Sequence, residues 1–486
     1  MVKGAAWMTL LMITNRVIGL ISTIILARLL LPDDFGIVVM CSSVVGGLAI
    51  FTAFGFDIAL IQKQDATRSH YDTAWTFKVL LGILVATCIA LAAYPTSLFY
   101  REPRVILPMI VLGLAFLLQS FENIRVVDFR KNLEFDKEAI LRVSQKVVGF
   151  CTAIPLAYYL RSYWALIIGS FVFSLTNVIL SYVLRPYKPR FTFSEKKSIF
   201  GFSSWLLLTN LLSYTRDTLS DFVIGRTAGA KSLGLLSVAR ELSSAPSMMM
   251  IASVNRAVYP GYAKMADRRQ ELKETYSRVI STIALIALPM GVGIASVSDQ
   301  LVFVVLGEGW RDAGPVMKIL ALYGVLSALN SNIAYVFNAV GKPKLTTYMG
   351  FYQTGLMLPI MLILAWKFGI LGAAWAFLIT SSLTLPFVMG AARKLLQINL
   401  VQYVSFLLRP LGSSLLMYAS VIMLENVFTG RISEFQLLAL SVSLGVAVYL
   451  SSLLLFVLAF GSKTSTERVI YEQYVRPKLP RLGAHR

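Results

Sequence analysis

Charged side chains are scarce in this chain of 486 residues, and acidic ones are especially few. Asp, Glu, Lys and Arg together make up 14% of the sequence, whereas 57% of the residues are hydrophobic and the mean hydropathy is +0.70. Soluble domains contain about 25% charged residues. This composition excludes a soluble globular protein and is typical of an integral membrane protein.

Cysteine and histidine are nearly absent, with three and two residues. Cys41, Cys88 and Cys151 fall in apolar stretches, in an odd number and without paired spacing, so no disulfide framework is expected. His70 and His485 lie in a loop and in the tail, and no zinc-binding spacing is found. A Gly-rich nucleotide loop is also missing. We therefore expect no metal, no cofactor and no ATP-driven pumping within this chain.

Long apolar runs fill most of the sequence. A helix needs about 20 residues to cross the hydrocarbon core, so fourteen such runs leave room only for short connections. The predicted fold class is an all-α integral membrane protein with about fourteen transmembrane helices. The predicted spans are 5–31, 35–56, 72–94, 105–124, 139–159, 164–184, 200–223, 233–254, 277–297, 314–339, 346–366, 370–390, 407–424 and 437–460.

The net charge of +20 follows from the loops between these spans. Lys and Arg are concentrated in alternate loops and in the C-terminal tail, whereas the opposite loops contain few of them. By the positive-inside rule, both termini are predicted to be cytoplasmic. Nucleic acid is not an expected partner, because the basic residues lie in loops between transmembrane spans and not on the face of a soluble helix or sheet.

The chain also repeats itself. Residues 28–36 (RLLLPDDFG) match residues 226–234 (RTAGAKSLG) in their Arg-to-Gly spacing, and Trp164 corresponds to Trp375. These pairs occur in the same order and indicate two parallel halves of six helices each. Transporters with such repeats bind substrate between the halves and alternate its access.

This organisation predicts four regions along the chain. The predicted regions are an N-terminal six-helix bundle over 1–190, a C-terminal six-helix bundle over 191–395, two additional transmembrane helices over 396–462 and a basic cytoplasmic tail over 463–486.

Seven cations lie inside predicted spans, where hydrocarbon would surround them. A charge at the centre of a transmembrane helix costs about 2.5 to 3.5 kcal/mol on insertion scales, so it usually faces a polar cavity or a partner. We predict that these seven residues line a wet, positive cavity that binds an anionic substrate. They are Arg16, Lys78, Arg142, Lys146, Arg216, Arg240 and Lys318. Snorkelling or an intramembrane ion pair explains Arg142, Lys146, Arg216, Arg240 and Lys318 equally well.

Four acidic residues are candidates for coupling transport to a proton or a sodium ion, since burial favours the neutral form of a carboxyl group. These candidates are Glu122, Asp217, Asp221 and Glu241. Pairing with Arg125, Arg216 and Arg240 explains the same carboxylates equally well.

Several motifs resemble a known family. They are residues 27–36, 55–62, 130–135, 163–166 and 224–234. On these motifs the chain resembles the Wzx/PST polysaccharide flippases, of the superfamily (MOP) that also contains MATE drug exporters and MurJ-type lipid II flippases. The resemblance covers about residues 1–460.

The resemblance implies a V-shaped pair of helical bundles in the bacterial inner membrane. It implies that an undecaprenyl-diphosphate-linked oligosaccharide moves from the cytoplasmic to the periplasmic leaflet, for exopolysaccharide or O-antigen lipopolysaccharide biosynthesis. Expected partners are this substrate, membrane lipid, a coupling proton or sodium ion, and polymerase and chain-length proteins.

Two alternative functions remain at this point. A MATE-like exporter of organic cations would need a carboxylate-rich pocket, which the excess of intramembrane Lys and Arg disfavours. A glycan polymerase or ligase would need a catalytic surface on a long external loop, and the external loops predicted here are short. The sequence therefore favours a transporter over an enzyme.

Overall fold

The computed structural model describes residues 2–52, 56–63, 65–195 and 204–460. The predicted basic tail over 463–486 and the predicted start of the seventh span at residue 200 lie outside these residues. Every regular element in the described part of the chain is helical, which confirms the all-α fold class.

Fifteen α-helices are present in the described ranges. They are α1 (Val2–Leu29), α2 (Pro32–Ala49), α3 (Phe56–Gln62), α4 (Arg68–Tyr100), α5 (Ile106–Ser120), α6 (Val127–Lys131), α7 (Phe135–Leu160), α8 (Trp164–Leu184), α9 (Ser204–Lys264), α10 (Arg269–Ser296), α11 (Ser298–Leu306), α12 (Ala313–Ala339), α13 (Pro343–Leu396), α14 (Leu400–Phe428) and α15 (Glu434–Phe460). Short 3₁₀ turns are formed by Ile50–Thr52, Pro103–Val105, Ile124–Val126 and Glu308–Trp310.

The two longest helices are each divided by a glycine. Helix α9 contains 61 residues and α13 contains 54, and straight helices of these lengths would be about 80 to 90 Å long. Gly229 (φ 79°) and Gly369 (φ 56°) adopt positive φ values inside them, a conformation that glycine tolerates without steric cost. Each long helix therefore consists of two helical segments, and both glycines fall between predicted spans.

Ten helices in the described ranges are long and apolar enough to cross a membrane. The molecule is therefore a multi-pass membrane protein, as predicted. When α9 and α13 are divided at their glycines, the described ranges contain fourteen long helical segments. The number of membrane crossings remains a prediction.

The chain forms two compact units. Unit 1 comprises Met1–Glu241, Leu306–Ala313 and Gln353–Ala376, and unit 2 comprises Leu242–Val305, Gly314–Tyr352 and Phe377–Arg486. The predicted domain limits at residues 190, 395 and 462 remain predictions.

The two repeated motifs pack on each other within unit 1. A Cβ atom added at Gly36 would lie 1.8 Å from the carbonyl oxygen of Ala230, and one added at Gly234 would lie 1.8 Å from the carbonyl oxygen of Pro32. Pro32 precedes Gly36 by four residues, as Ala230 precedes Gly234. The two contacts are therefore equivalent under the repeat, and we call these four residues the glycine clasp.

Carboxylates fix the N-terminus of α2, on which the glycine clasp is built. Asp34 accepts hydrogen bonds from the backbone N–H groups of Leu31 (3.0 Å) and Tyr163 (2.8 Å). Asp33 forms an ion pair with Arg104 at 2.7 Å. Acidic side chains in the first turn also interact favourably with the helix dipole. The backbone that Gly36 brings to Ala230 is thus held from several directions.

Alanine in the glycine clasp is expected to destabilise the protein. Because a Cβ 1.8 Å from a carbonyl oxygen forces the backbones apart, Gly36→Ala and Gly234→Ala should each lower the free energy of unfolding by about 1 to 3 kcal/mol. Thermal unfolding of the purified protein measures this loss. Gly350→Ala and Gly355→Ala are helical controls where an added Cβ meets nothing within 4 Å. Equal stability of clasp and control variants would contradict the prediction.

Candidate functional site

Ten of the eleven predicted site residues belong to unit 1, and Lys318 belongs to unit 2. Eight of the ten in unit 1 form three groups, which lie around a cavity, around Glu122 and around Asp221, and the other two, Arg216 and Asp217, form an ion pair. The described residues contain no cluster of three or more His, Cys, Asp or Glu side chains suited to a metal ion.

A cavity of about 520 Å³ lies among α1, α2, α5, α7, α8 and the residue Glu241 of α9. Its charged lining residues are Lys146 and Glu241, and polar uncharged side chains such as Thr23, Gln119 and Ser174 also line it. Thr23 Oγ1 donates a hydrogen bond to Glu241 Oε2 at 3.2 Å. We call this space the Lys146 cavity. It offers hydrogen-bonding groups where hydrocarbon would offer none.

Lys146 connects the cavity to α1. Its ammonium donates a hydrogen bond to the backbone carbonyl of Asn15. Gly19 leaves space for this ammonium, because a Cβ added there would lie 3.0 Å from Lys146 Nζ. Arg16 and Glu241 both interact electrostatically with Lys146. The structure therefore brings three predicted site residues, Arg16, Lys146 and Glu241, to one region.

Glu122 pairs with two predicted cations. Lys78 Nζ lies 2.7 Å from Glu122 Oε2, and Arg142 Nη1 lies 4.0 Å from Glu122 Oε1. The side chain of Glu122 is 11% exposed and follows the end of α5 at Ser120. Attraction to Lys78 and Arg142 offsets the cost of burying this carboxylate.

Asp221 is the centre of the third group. Arg240 Nη2 lies 3.2 Å from Asp221 Oδ1, and the hydroxyls of Ser43 (3.2 Å) and Ser220 (3.1 Å) donate to this carboxylate. The Asp221 side chain is 5% exposed, so these contacts stabilise a charge that is almost fully buried.

The remaining cations have separate surroundings. Arg216 forms an ion pair with Asp217 at 3.1 Å, the alternative that the sequence left open for both residues, and also donates to Gln353 Oε1 at 3.1 Å. In unit 2, Lys318 Nζ lies 5.7 Å from the ring centroid of Tyr418, a cation–π distance.

Two further arginines that the sequence offers as partners also form ion pairs in unit 1. Arg240 pairs with Asp221 at 3.2 Å. Arg125 pairs with Asp128 at 3.0 Å, within the 3₁₀ turn and the short helix α6 that follow α5.

Sequence reasoning also missed the uncharged partners of the site. Thr23, Ser43, Gln119 and Gln353 were not predicted, although each contacts or accompanies a candidate charge. Each of these residues is an uncharged polar residue inside an apolar stretch of sequence. Because buried polar groups are usually hydrogen-bonded, this pattern could have indicated them as partners of the charged residues.

Removal of the Glu122 charge is expected to destabilise unit 1. Glu122→Gln leaves Lys78 and Arg142 without their carboxylate, so the free energy of unfolding should fall by about 3 kcal/mol, the lower end for a buried pair.

Thermal unfolding of Glu122→Gln, Lys78→Gln and the double variant measures this coupling. The double variant should recover part of the loss, since it removes both members of the closest pair. Strictly additive losses, or wild-type stability of Glu122→Gln, would show that the contact contributes nothing.

Known proteins resemble this chain in sequence and in fold. A family model described as "Polysaccharide biosynthesis protein" matches residues 25–315. The lipopolysaccharide biosynthesis protein WzxC of Escherichia coli (strain K12) is 24% identical over 386 residues, covering 78% of each chain. The teichuronic acid biosynthesis protein TuaB of Bacillus subtilis (strain 168) is 24% identical over 405 residues, covering 82% of this chain and 83% of TuaB.

A solved structure of the lipid II flippase MurJ, in an inward closed conformation, aligns with a TM-score of 0.76. Its sequence is 13% identical, and the alignment covers 92% of this chain and 98% of MurJ, which shows a common fold. The family match extends over more than half of the sequence. The chain therefore belongs to the polysaccharide biosynthesis protein family, as its resemblance to the Wzx/PST proteins predicted.

Proposed function

We propose that this chain is a transporter that flips an undecaprenyl-diphosphate-linked oligosaccharide across the bacterial inner membrane, from the cytoplasmic to the periplasmic leaflet. The transported glycan would serve exopolysaccharide or O-antigen biosynthesis, and both termini would be cytoplasmic. The observation that carries the proposal is a cavity of about 520 Å³ in unit 1 that Lys146 and several hydrogen-bonding side chains line among apolar ones, with Arg16 close enough to act electrostatically on Lys146. Family membership and the similarity to a lipid II flippase support it.

The charge balance of the candidate residues fits a diphosphate. In unit 1, six predicted cations accompany four predicted carboxylates, an excess of two positive charges. A diphosphate headgroup contributes about two negative charges, and it would compete with the carboxylates for their cations. The Lys146 ammonium donates its hydrogen bond to the neutral carbonyl of Asn15. Transfer of this hydrogen bond to a phosphate oxygen would therefore break no salt bridge with the Asn15 carbonyl.

Each cation has a distinct role in this mechanism. The guanidinium of Arg16 can contact two phosphate oxygens at once, whereas the ammonium of Lys146 acts as a point charge. Thr23, Gln119 and Ser174 offer hydrogen bonds to sugar hydroxyls, which hydrocarbon leaves unsatisfied. The lipid tail stays in the bilayer during passage.

The glycine clasp is the proposed outer gate. Its two motifs follow predicted spans that end on the side opposite the cytoplasm, and their backbones touch in the described conformation. Opening of this contact would connect the cavity with the periplasmic leaflet. Alternating access would therefore separate the two copies of the repeat at Gly36 and Gly234.

Substitution of the cavity cations is expected to stop export. Arg16→Gln and Lys146→Gln should each lower flipping at least about tenfold, because each removes a charge-assisted contact of roughly 1.5 to 3 kcal/mol with the headgroup. Mass spectrometry of cell lipids measures the lipid-linked repeat unit, which should accumulate as it does in cells lacking the chain. Lys394→Gln, an exposed cation at the end of α13, is the control.

Charge reversal separates this function from a MATE-like exporter of organic cations. Arg16→Glu should abolish glycan export if the cavity binds an anion. Normal export by Arg16→Glu and Lys146→Gln, or efflux of organic cations by the wild type, would contradict the proposal.

The membrane potential is expected to contribute to the driving force. Movement of one charge through 100 mV is worth about 2.3 kcal/mol, so a doubly negative headgroup leaving a negative interior gains about 4.6 kcal/mol. Collapse of the potential in proteoliposomes, with the proton gradient maintained, should slow outward flipping. Flipping that depends on the proton gradient alone would instead favour coupling through Asp217, Asp221 or Glu241.

A further inference from the structure

A second polar cavity of unit 1 lies at the N-terminus of α4, away from the residues predicted to bind substrate. Its volume is about 760 Å³. Four cations and two tyrosines dominate its lining, and the described lining residues include no carboxylate. These six residues, which we call the basic pocket, are Arg68, Tyr71, Arg125, Tyr187, Lys188 and Arg190.

The tyrosine rings hold two guanidinium groups in place. The Arg125 guanidinium carbon lies 5.3 Å from the ring centroid of Tyr71 and 5.5 Å from that of Tyr187. The Arg68 guanidinium carbon lies 5.7 Å from the Tyr187 ring. Arg68 Nε also lies 3.6 Å from Asp72 Oδ2, and Arg68 Nη2 donates to the Lys188 carbonyl at 3.0 Å. Cation–π contacts use the face of a guanidinium, so the remaining N–H groups at its edge can donate to an anion.

Two buried carboxylates orient the tyrosines. Asp72 accepts hydrogen bonds from the Tyr187 hydroxyl (2.7 Å) and the Arg190 backbone N–H (3.0 Å). Asp128 accepts hydrogen bonds from the Tyr71 hydroxyl, at 2.6 Å, and from Arg125 Nε, at 3.0 Å. Asp72 is 4% exposed and Asp128 is 3% exposed, so both carboxylates lie below the surface. The walls of the basic pocket are thus preformed.

Exposed aromatic side chains adjoin the basic pocket. Phe191 is 65% exposed and Phe193 is 51% exposed, although each ring also contacts an aromatic ring of α4. Their segment is fixed along α4, since the Thr192 N–H donates to Thr76 Oγ1 at 3.1 Å. Exposed rings directly after Lys188 and Arg190 are typical of a segment at the level of lipid headgroups.

We propose that the basic pocket binds the phosphate-bearing headgroup of an anionic phospholipid. Arg68 and Arg125 contact the phosphate oxygens, and Lys188 and Arg190 add positive charge. Phe191 and Phe193 enter the outer part of the acyl region, which favours a lipid over free phosphate. This binding requires no flipping and is independent of the proposed substrate.

Native mass spectrometry of the full-length protein with phosphatidylglycerol or phosphatidylcholine tests the proposal. The triple variant Arg68→Gln, Lys188→Gln, Arg190→Gln should bind phosphatidylglycerol at least about tenfold more weakly, because each cation near an anionic headgroup contributes about fivefold. Phosphatidylcholine binding should not change. The matched control removes three exposed cations of α13 and its N-terminal loop, in Lys342→Gln, Lys344→Gln, Arg393→Gln.

Further arms of the experiment distinguish the outcomes. If the triple variant is unstable, the double variant Lys188→Gln, Arg190→Gln should still weaken phosphatidylglycerol binding about fivefold or more. Equal binding by pocket and control variants would overturn the proposal. Displacement of the lipid by millimolar inorganic phosphate would also overturn it, in favour of free phosphate. All measurements repeated in a Lys146→Gln background should give the same result, even if transport fails.

Discussion

The interior of unit 1 depends on how positive charges inside predicted transmembrane spans are stabilised. Carboxylates on other segments stabilise two of these cations. Lys78 Nζ lies 2.7 Å from Glu122 Oε2, and Arg240 Nη2 lies 3.2 Å from Asp221 Oδ1. Lys146 is stabilised by the backbone carbonyl of Asn15 and by the hydrogen-bonding groups of its cavity. Since an unpaired intramembrane charge is unfavourable, the helices pack so that each of these cations reaches a polar partner, and the Lys146 cavity lies among them.

The same charges connect stability with transport. A cation that forms a close ion pair with a carboxylate binds another anion weakly. The hydrogen bond from Lys146 to a neutral carbonyl is weaker than a salt bridge, so it competes less with an anionic headgroup. We expect the ion pairs of Glu122 and Asp221 to stabilise the helices around the cavity. The proposed headgroup site uses Arg16 and Lys146, which belong to neither of these ion pairs. The glycine clasp adds a backbone contact that contains no charge, so the proposed opening would break no ion pair at this contact.

Much of the fold was predictable because hydropathy and helix length are local properties. The predicted breaks at residues 223–233 and 366–370 coincide with Gly229 and Gly369, where positive φ values divide long helices. The repeat was also readable as matched motifs. That the motifs touch each other through Gly36 and Gly234 was not readable, because spacing along the chain does not show which backbones approach.

The sequence indicated which charged residues belong to the candidate site, but it did not indicate most of the contacts between them. Arg216 pairs with its neighbour Asp217, which the sequence indicated. Lys78 finds Glu122 on a segment 44 residues away, and only helix packing brings them together. Arg240 likewise contacts Asp221, 19 residues away, because the two segments of α9 pack on each other.

Binding of a soluble prenyl diphosphate to the purified protein tests the central claim most directly. The account predicts that the wild type binds the diphosphate and not the corresponding uncharged prenol, and that the double variant Arg16→Gln, Lys146→Gln loses this preference. Equal binding of diphosphate and prenol by the wild type, or an unchanged preference in the double variant, would contradict it.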